Sequence, residues 1–369
     1  MLGRIATVFD MVAVSVVGYD VQVLHRILLT AFLTSACSRN STSAPKPSAT
    51  PPATAPGTTP VLTPTVPTEA PPPQAPTAAA TAPAAPNNDG CTLLPFAESV
   101  DLAEASGAAP ITVDGTAALL VVGDSGNHGD YAIINADTGA LLEKGKLPLG
   151  ATSDDVEALS AADGLIYGIT SAGWVYRWQA AAKPKTKARF VQVGEPYPIG
   201  TVDTTWRKNG GLGSKPPAGD AMACVAEGTN CGRNYEGLCL QPDLTAAAGK
   251  DGQGCVGLAI GKADGNAYCV TWGGGKLAAQ RDRRFAVASP GGLADCALDD
   301  QNRMVIGSNL FDALSTYTVE DWATWRVSKG ASAPRITRRI GVGIGFAEVL
   351  ATGPAGVVYR MSDASGAPS

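Results

Sequence analysis

Histidine is nearly absent from this chain, and its scarcity removes several classes of chemistry. Only His25 and His128 occur among 369 residues, and there is no Cys-x-x-Cys pair. Structural zinc sites use Cys and His at short spacings, so the sequence argues against zinc. A serine hydrolase needs a histidine base, so the "GDSG" stretch at 123–126 predicts a tight turn rather than a nucleophile.

An excess of positive charge is also absent. The chain has 33 acidic and 28 basic residues, which gives a formal net charge of −5. Proteins that bind nucleic acid usually present a basic patch to the phosphate backbone, so no nucleic-acid partner is expected. The expected partners are a membrane, through a lipid anchor, and an unidentified protein or small-molecule ligand.

The N-terminal apolar run is too short to cross a bilayer. It covers Ile27 to Ala36, follows a basic residue and ends in "LTSACS", which resembles the bacterial lipoprotein processing box with Cys37 as the lipidated residue. Residues 1–37 are therefore predicted to be a signal peptide, with 1–22 suspected to be a start-site artefact. The alternative is an uncleaved membrane anchor. Export to the outer membrane, cell surface or periplasm is expected.

Aromatic residues are missing from residues 38–90. Of the 27 prolines in the chain, 14 lie between Pro45 and Pro86, among Ala, Thr and Ser. A segment of this composition cannot bury a core, so it is predicted to be a disordered tether. The remaining residues, 91–369, form the predicted folded domain.

The cysteines agree with export, because exported chains commonly oxidise them to disulfides. Three bridges are expected among six residues, whose pairing the sequence leaves open. These residues are Cys224, Cys231, Cys239, Cys255, Cys269 and Cys296.

The folded part contains a recurring unit. The stretches "VEALSAADGLIYGIT", "YEGLCLQPD", "ADCALDDQNRMVIGSN" and "AEVLATGPAGVVYRMSD" each place an acid two residues before Leu or Ala. The acids Glu157, Glu236, Asp295 and Glu348 recur at spacings of 79, 59 and 53 residues. Such recurrence favours an all-β fold, a β-propeller of five to six blades, with a β-sandwich as the alternative. A strand at Thr92 to Val100 could complete the last blade.

The four acids are candidate metal ligands. In a propeller the first strand of each blade lines the central channel, so equivalent acids would converge there and repel one another. A divalent cation would relieve the repulsion, and a ligand set made only of oxygen suits Ca²⁺ or Mg²⁺. The alternative is that each acid faces solvent or accepts backbone N–H groups. Asp124, Asn309 and Asp363 are expected at the channel mouth.

The "EGL" and "VEAL" stretches, each followed by a Gly turn and an apolar strand, resemble the six-bladed propellers of the phytase-like esterase and gluconolactonase-like groups. The resemblance covers about residues 110–363. It implies a divalent metal, commonly calcium, held by Glu157 and Glu236, and hydrolysis of esters or lactones in some members. Asp295 and Glu348 match the acid position without the following Gly-Leu. The sequence therefore predicts a binding or scaffolding module, with a calcium-dependent hydrolase as the alternative and no catalytic residue assigned.

Overall fold

The computed structural model describes residues 94–363, apart from 125, 151–153, 182–188, 206–219, 289–291, 302, 310–312, 323–325, 328–334 and 337–345. Cys37, Cys91 and the predicted boundaries at 37/38 and 90/91 lie outside the described residues. All described residues belong to one unit, Ala78–Ser369. Over the described ranges, no helix has the length and hydrophobicity needed to cross a membrane.

Short turns with positive φ connect several of the strands. The φ angles are 50° and 81° in Asp114-Gly115, and they are 49° and 73° in Asp163-Gly164. Each pair forms the two-residue loop of a hairpin. This backbone matches the right-handed twist of paired strands, and Asp-Gly tolerates it well. The "DG" dipeptides thus fix the register of the hairpins that they close.

The first sheet contains four antiparallel strands in chain order. They are β1 (Ala105–Val113), β2 (Thr116–Gly123), β3 (Asp130–Asn135) and β4 (Leu141–Lys146).

The second sheet has the same plan with one addition, because its third strand pairs with two short strands. Its members are β5 (Val156–Ala162), β6 (Leu165–Thr170), β7 (Trp174–Ala180), β8 (Phe190–Gln192) and β9 (Tyr197–Pro198). A separate parallel pair follows, β10 (Val202–Asp203) with β11 (Ala223–Cys224).

The third and fourth sheets repeat the antiparallel plan. The third contains β12 (Tyr235–Leu240), β13 (Cys255–Gly261), β14 (Asn266–Gly273) and β15 (Lys276–Ala286), with helix α1 (Leu244–Ala248) between its first two strands. The fourth contains β16 (Leu293–Leu298), β17 (Arg303–Ser308), β18 (Ala313–Asp321), β19 (Arg326–Val327) and β20 (Arg335–Ile336). A final hairpin pairs β21 (Phe346–Thr352) with β22 (Val358–Asp363) across a 3-10 turn, Pro354–Gly356.

The first strands of these sheets contact one another in cyclic order. β1 packs against β5, β5 against β12, β12 against β16, β16 against β21, and β21 against β1. A separate apolar cluster fills each interface, for example Ile133 with Trp178 between the first two sheets and Ile260 with Ile306 between the third and fourth. Face-to-face packing of sheets around a closed ring of first strands is a propeller-like arrangement.

The predicted all-β propeller class is therefore confirmed, whereas the predicted five to six blades are not. Within the described ranges, four sheets have the four or five strands of a blade. Residues 94–100 form no strand. The predicted strand at Thr92 to Val100 is therefore wrong over the part that the structure describes. They pack instead against the final hairpin, where the rings of Phe96 and Tyr359 lie 5.7 Å apart.

The six predicted cysteines do form three disulfides. Cys224 pairs with Cys231, Cys255 pairs with Cys269, and Cys239 pairs with Cys296. The last pair joins β12 to β16 and therefore links the first strands of neighbouring sheets.

Candidate metal centre

Every first strand carries a β-bulge close to its start. The extra residue is Ser106 in β1, Glu157 in β5, Glu236 in β12 and Glu348 in β21, while the irregularity in β16 includes Asp295. A bulge turns a side chain away from the regular alternation of a strand. The four candidate acids thus occupy equivalent places on the ring of first strands, and the fifth place holds a serine.

The ring is tight at these bulges. Gly107 follows the bulge of β1, and a β-carbon built on it would lie 2.6 Å from the Cα of Ala158 in β5. Glycine is therefore required by the close approach of the two strands. This approach brings the bulges of the first two sheets into direct contact.

Three carboxylates converge beside these bulges. One oxygen each from Asp124, Asp155 and Glu157 lies within 4.8 Å of the other two. Asp155 and Glu157 are buried, and Asp124 is half-buried. We call Asp124, Asp155 and Glu157 the carboxylate cluster.

Hydroxyl groups hold the buried members of this cluster in place. The Ser106 hydroxyl lies 2.8 Å from Oε2 of Glu157, to which it donates. The Ser171 hydroxyl donates to Asp155 and accepts the N–H of Asn230 at 2.8 Å. The loop between Cys224 and Cys231 is thereby connected to the cluster through Ser171.

Burial raises the pKa values of the cluster. The pKa of Asp155 lies above its usual value, mainly through burial and partly through the charge of Asp154. The pKa of Glu157 is raised well above its usual value by burial and then by the charges of Glu236, Asp124, Asp155 and Glu348. Concentrated negative charge of this kind favours either protonation or a bound cation.

Two other acids of the ring, Glu236 and Glu348, lie around a lysine. Lys262 Nζ is 3.0 Å from Oε2 of Glu236 and 3.6 Å from Oε1 of Glu348, and Asn234 Nδ2 donates to Oε1 of Glu236 at 2.9 Å. We call Asn234, Glu236, Lys262 and Glu348 the lysine–glutamate cluster.

The charges of this cluster are partly compensated. Burial raises the pKa of Glu236 to about 8, although the Lys262 ammonium opposes the rise. Burial alone would lower the pKa of Lys262, but Glu236 and Glu348 raise it above its usual value.

Asp295 makes different contacts. It is fully buried, its Oδ1 accepts the N–H of Cys296 at 2.7 Å, and its Oδ2 accepts the N–H of Leu350 at 3.3 Å. Burial raises its pKa well above the usual value. The structure does not bring Asp295 into the carboxylate cluster, because backbone N–H groups hold both of its oxygens.

The three residues expected at the channel mouth follow or end second strands. The N–H of Asp124 donates to the Glu104 carbonyl at 2.8 Å, and that of Asn309 donates to the Gly292 carbonyl at 3.0 Å. Asp363 ends β22 and pairs with Phe346. The three residues thus lie at the same end of their sheets as the bulges.

The opposite end of the ring is lined by a mixture of apolar residues and polar ones, among them Ser160, Asp299 and Thr352. A cavity of about 140 Å³ lies there between all five first strands, and Ala108, Leu159, Leu350 and the Cys239–Cys296 pair contribute to its wall. The channel therefore has one end rich in carboxylates, whereas the other end is lined by both polar and apolar residues.

Sequence reasoning missed three members of these two clusters, Asp155, Asn234 and Lys262, and also Ser106, which donates to Glu157. Ser106 lies at the ring position of the acids, but a serine gave no match to them. Asp155 precedes Glu157 by two residues, as Asn234 precedes Glu236. Lys262 lies in "GLAIGKAD", where its position after a second strand, like that of Asp124, could have been a signal.

The fold and these clusters define an all-β, propeller-like protein with a carboxylate-rich channel end. No family model and no curated protein matches the chain. Among solved structures, it is similar to virginiamycin B lyase from Staphylococcus aureus, with 12% identity, 70% of this chain and 78% of that chain covered, and a TM-score of 0.35.

Two further distant neighbours are of lactonase and dehydrogenase type. One was assigned as a 6-phosphogluconolactonase, from Bacteroides fragilis, with 13% identity, 70% and 67% coverage and a TM-score of 0.36. The other is the PQQ-bound aldose sugar dehydrogenase from Streptomyces coelicolor, with 16% identity, 72% and 90% coverage and a TM-score of 0.37. At these scores the likeness carries no information about activity.

Proposed function

We propose that this chain is a cell-envelope lipoprotein that presents a β-propeller binding or scaffolding module with one divalent cation in its channel. The observation that supports the cation is the carboxylate cluster, in which Asp124, Asp155 and Glu157 bring three oxygens within 4.8 Å of one another. The ligand of the module is an unidentified protein or small molecule.

The donor set fits a hard cation. Asp124, Asp155 and Glu157 supply oxygen only, which is the ligand type that Ca²⁺ and Mg²⁺ prefer and that zinc uses less. Ser106 and Ser171 orient two of the carboxylates by hydrogen bonds. A bound cation would offset the repulsion that burial makes severe, so its main contribution is to stability.

Elemental analysis of the purified domain, prepared without chelator, tests this site. One equivalent of calcium or magnesium is expected, and Glu157→Gln should lose it because a neutral amide binds such ions less strongly. Asp137→Asn is the matched control, since Asp137 is an exposed acid on the turn after β3. A metal-free wild-type domain, or a metal content that Glu157→Gln leaves unchanged, would contradict the proposal.

The three disulfides support the export part of the proposal, because such bonds persist in oxidising compartments. Cleavage before Cys37, a lipid on that cysteine and a tether over 38–90 would hold the domain at 91–369 away from the membrane.

Intact-mass measurement of the mature protein is expected to show a chain that begins at Cys37 and carries lipid. Cys37→Ser should release the protein from the membrane fraction, since a single thioether-linked lipid can no longer form. Cys91→Ser is the control and should stay membrane-bound. A mature chain that retains residues before Cys37 would favour the uncleaved anchor.

A metal-dependent ester or lactone hydrolase is the second candidate, and one contact favours it. His128 Nδ1 lies 2.8 Å from Oδ2 of Asp154, the residue that precedes Asp155 of the carboxylate cluster. A histidine oriented by a carboxylate is a competent general base, and a cation nearby would polarise an ester carbonyl. Turnover that is lost in His128→Asn without loss of melting temperature would favour this candidate over the binding module.

We also infer that the final hairpin serves as a reduced fifth blade. Glu348 occupies the same bulge as Glu157 and Glu236, and β21 contacts both β16 and β1. These contacts support a ring of five units, within the predicted five to six.

A further inference from the structure

The lysine–glutamate cluster shares three kinds of backbone position with the carboxylate cluster but carries different side chains there. Asp155 and Asn234 each directly precede a first strand, and Glu157 and Glu236 occupy the bulges that follow. In both clusters a further group comes from the residue after a second strand. That residue is Asp124 of the neighbouring first sheet in one cluster and Lys262, from the same sheet as Asn234 and Glu236, in the other.

The backbone shows that these last two positions are equivalent. The N–H of Asp124 donates to the carbonyl of Glu104, and the N–H of Lys262 donates to the carbonyl of Asn234, both at 2.8 Å. Glu104 and Asn234 each precede a first strand. One backbone position therefore adds a negative charge to the first cluster and a positive charge to the second.

The ammonium group lies where a cation would be needed. Lys262 Nζ is in ion-pair distance of two carboxylates from different sheets, Glu236 at 3.0 Å and Glu348 at 3.6 Å. Both carboxylates are buried, so removal of the ammonium would leave two uncompensated charges.

An amide oxygen in this cluster points independently to a cation. Asn234 is only 4% exposed, and its Oδ1 has no hydrogen-bond partner among the residues that the structure describes. Its Nδ2 donates to Glu236, so Oδ1 lies beside the same carboxylate. A buried carbonyl oxygen without a donor is costly, and beside a carboxylate it is a typical ligand of Ca²⁺ or Mg²⁺.

We propose that Lys262 Nζ occupies the place of a second divalent cation, at a latent site formed by Asn234, Glu236 and Glu348. In this arrangement Lys262 neutralises one half of the channel permanently and leaves only the carboxylate cluster for an ion. The stoichiometry of one ion rests on the proposed function, whereas the latent site does not.

The test is a calcium chloride titration of the full mature chain by isothermal calorimetry, after removal of metal with a chelator. Wild type is expected to bind one equivalent of Ca²⁺ and Lys262→Gln two. Lys262→Arg is the matched control, which keeps the positive charge and should stay at one. Glu236→Gln combined with Lys262→Gln should return the stoichiometry to one, because the latent site loses a carboxylate.

The outcomes separate the two proposals. If wild type and Lys262→Gln both bind one equivalent, the latent site is overturned and the carboxylate cluster stands. If wild type binds none and Lys262→Gln binds one, the latent site stands and the carboxylate cluster fails. If neither protein binds Ca²⁺, both proposals are overturned.

Loss of the ammonium could also unfold the variant in chelator. In that event circular dichroism is recorded with and without 10 mM calcium chloride, which is the order of the concentration needed to fill a weak extracellular-type site. Calcium-dependent refolding of Lys262→Gln supports the latent site. A variant that stays unfolded in both conditions overturns it.

Discussion

Replacing Cys239 and Cys296 together by alanine is expected to lower the free energy of unfolding by about 4 kcal/mol. The bond closes a loop with a sequence separation of 57, and in the chain-entropy model the stabilisation grows with the logarithm of loop length. It also joins β12 to β16, so its loss frees two neighbouring first strands from each other. Urea unfolding followed by tryptophan fluorescence measures the change.

The other two disulfides provide matched controls. The Cys255–Cys269 bond has a separation of 14 and the Cys224–Cys231 bond one of 7, so their removal is expected to cost about 3 and 2.4 kcal/mol in the same model. The predicted order of destabilisation is therefore the Cys239–Cys296 pair first and the Cys224–Cys231 pair last. An inverted order would show that local strain or packing outweighs loop closure.

Calcium is expected to raise the melting temperature of the domain by about 5–10 °C. An ion present at about 100 times its dissociation constant stabilises the native state by about 2.7 kcal/mol, and each kcal/mol shifts the midpoint of a domain of this size by about 2–4 °C. In Glu157→Gln this gain should be lost. The same variant should melt higher than wild type in chelator, because it removes repulsion within the carboxylate cluster.

The increase in melting temperature caused by calcium should also depend on pH, and its direction can be predicted. The native pKa values of Asp155 and Glu157 are raised, so between their unfolded and native pKa values the native state binds more protons than the unfolded state. In chelator, stability is therefore greatest below the unfolded pKa values and falls as pH rises through the native ones. The increment from calcium should grow over the same pH range, since deprotonated carboxylates bind the ion.

Differential scanning calorimetry between pH 5 and pH 8, with calcium and with chelator, measures both trends. Asp137→Asn is the control and should follow wild type, because Asp137 is an exposed acid on the turn after β3 and is not a member of the cluster. A calcium increment that is larger at pH 5 than at pH 8 would contradict the site.

The recurrence of Glu157, Glu236, Asp295 and Glu348 was readable from the sequence because each is followed by the same short apolar pattern. The repeat therefore predicted both the all-β propeller class and the equivalence of the four positions. It could not show what each carboxylate contacts. The backbone N–H groups around Asp295 and the ammonium between Glu236 and Glu348 depend on neighbouring sheets that are distant in the chain.

The number of blades was harder to predict for a related reason. The interval of 79 residues between Glu157 and Glu236 is long enough for either a large loop or another blade. After the strands of the second sheet, the described part of this interval contains β10 and β11, each of two residues, and the loop closed by Cys224 and Cys231. A loop closed by a disulfide has no periodic hydrophobic pattern. The sequence therefore could not distinguish this insertion from a blade.

The segment at residues 94–102 enters the domain at the junction between its first sheet and its last hairpin. Val100 and Leu102 share an apolar cluster with Val349 and Met361, and the Tyr359 hydroxyl donates to the Ala136 carbonyl. Among the described residues, the segment at 94–102 adds no strand to the final hairpin. Side-chain packing therefore closes the ring at this junction. A pulling force on the preceding chain would therefore act first on these packing contacts. It would open the ring at this junction while the four larger sheets keep their hydrogen bonds.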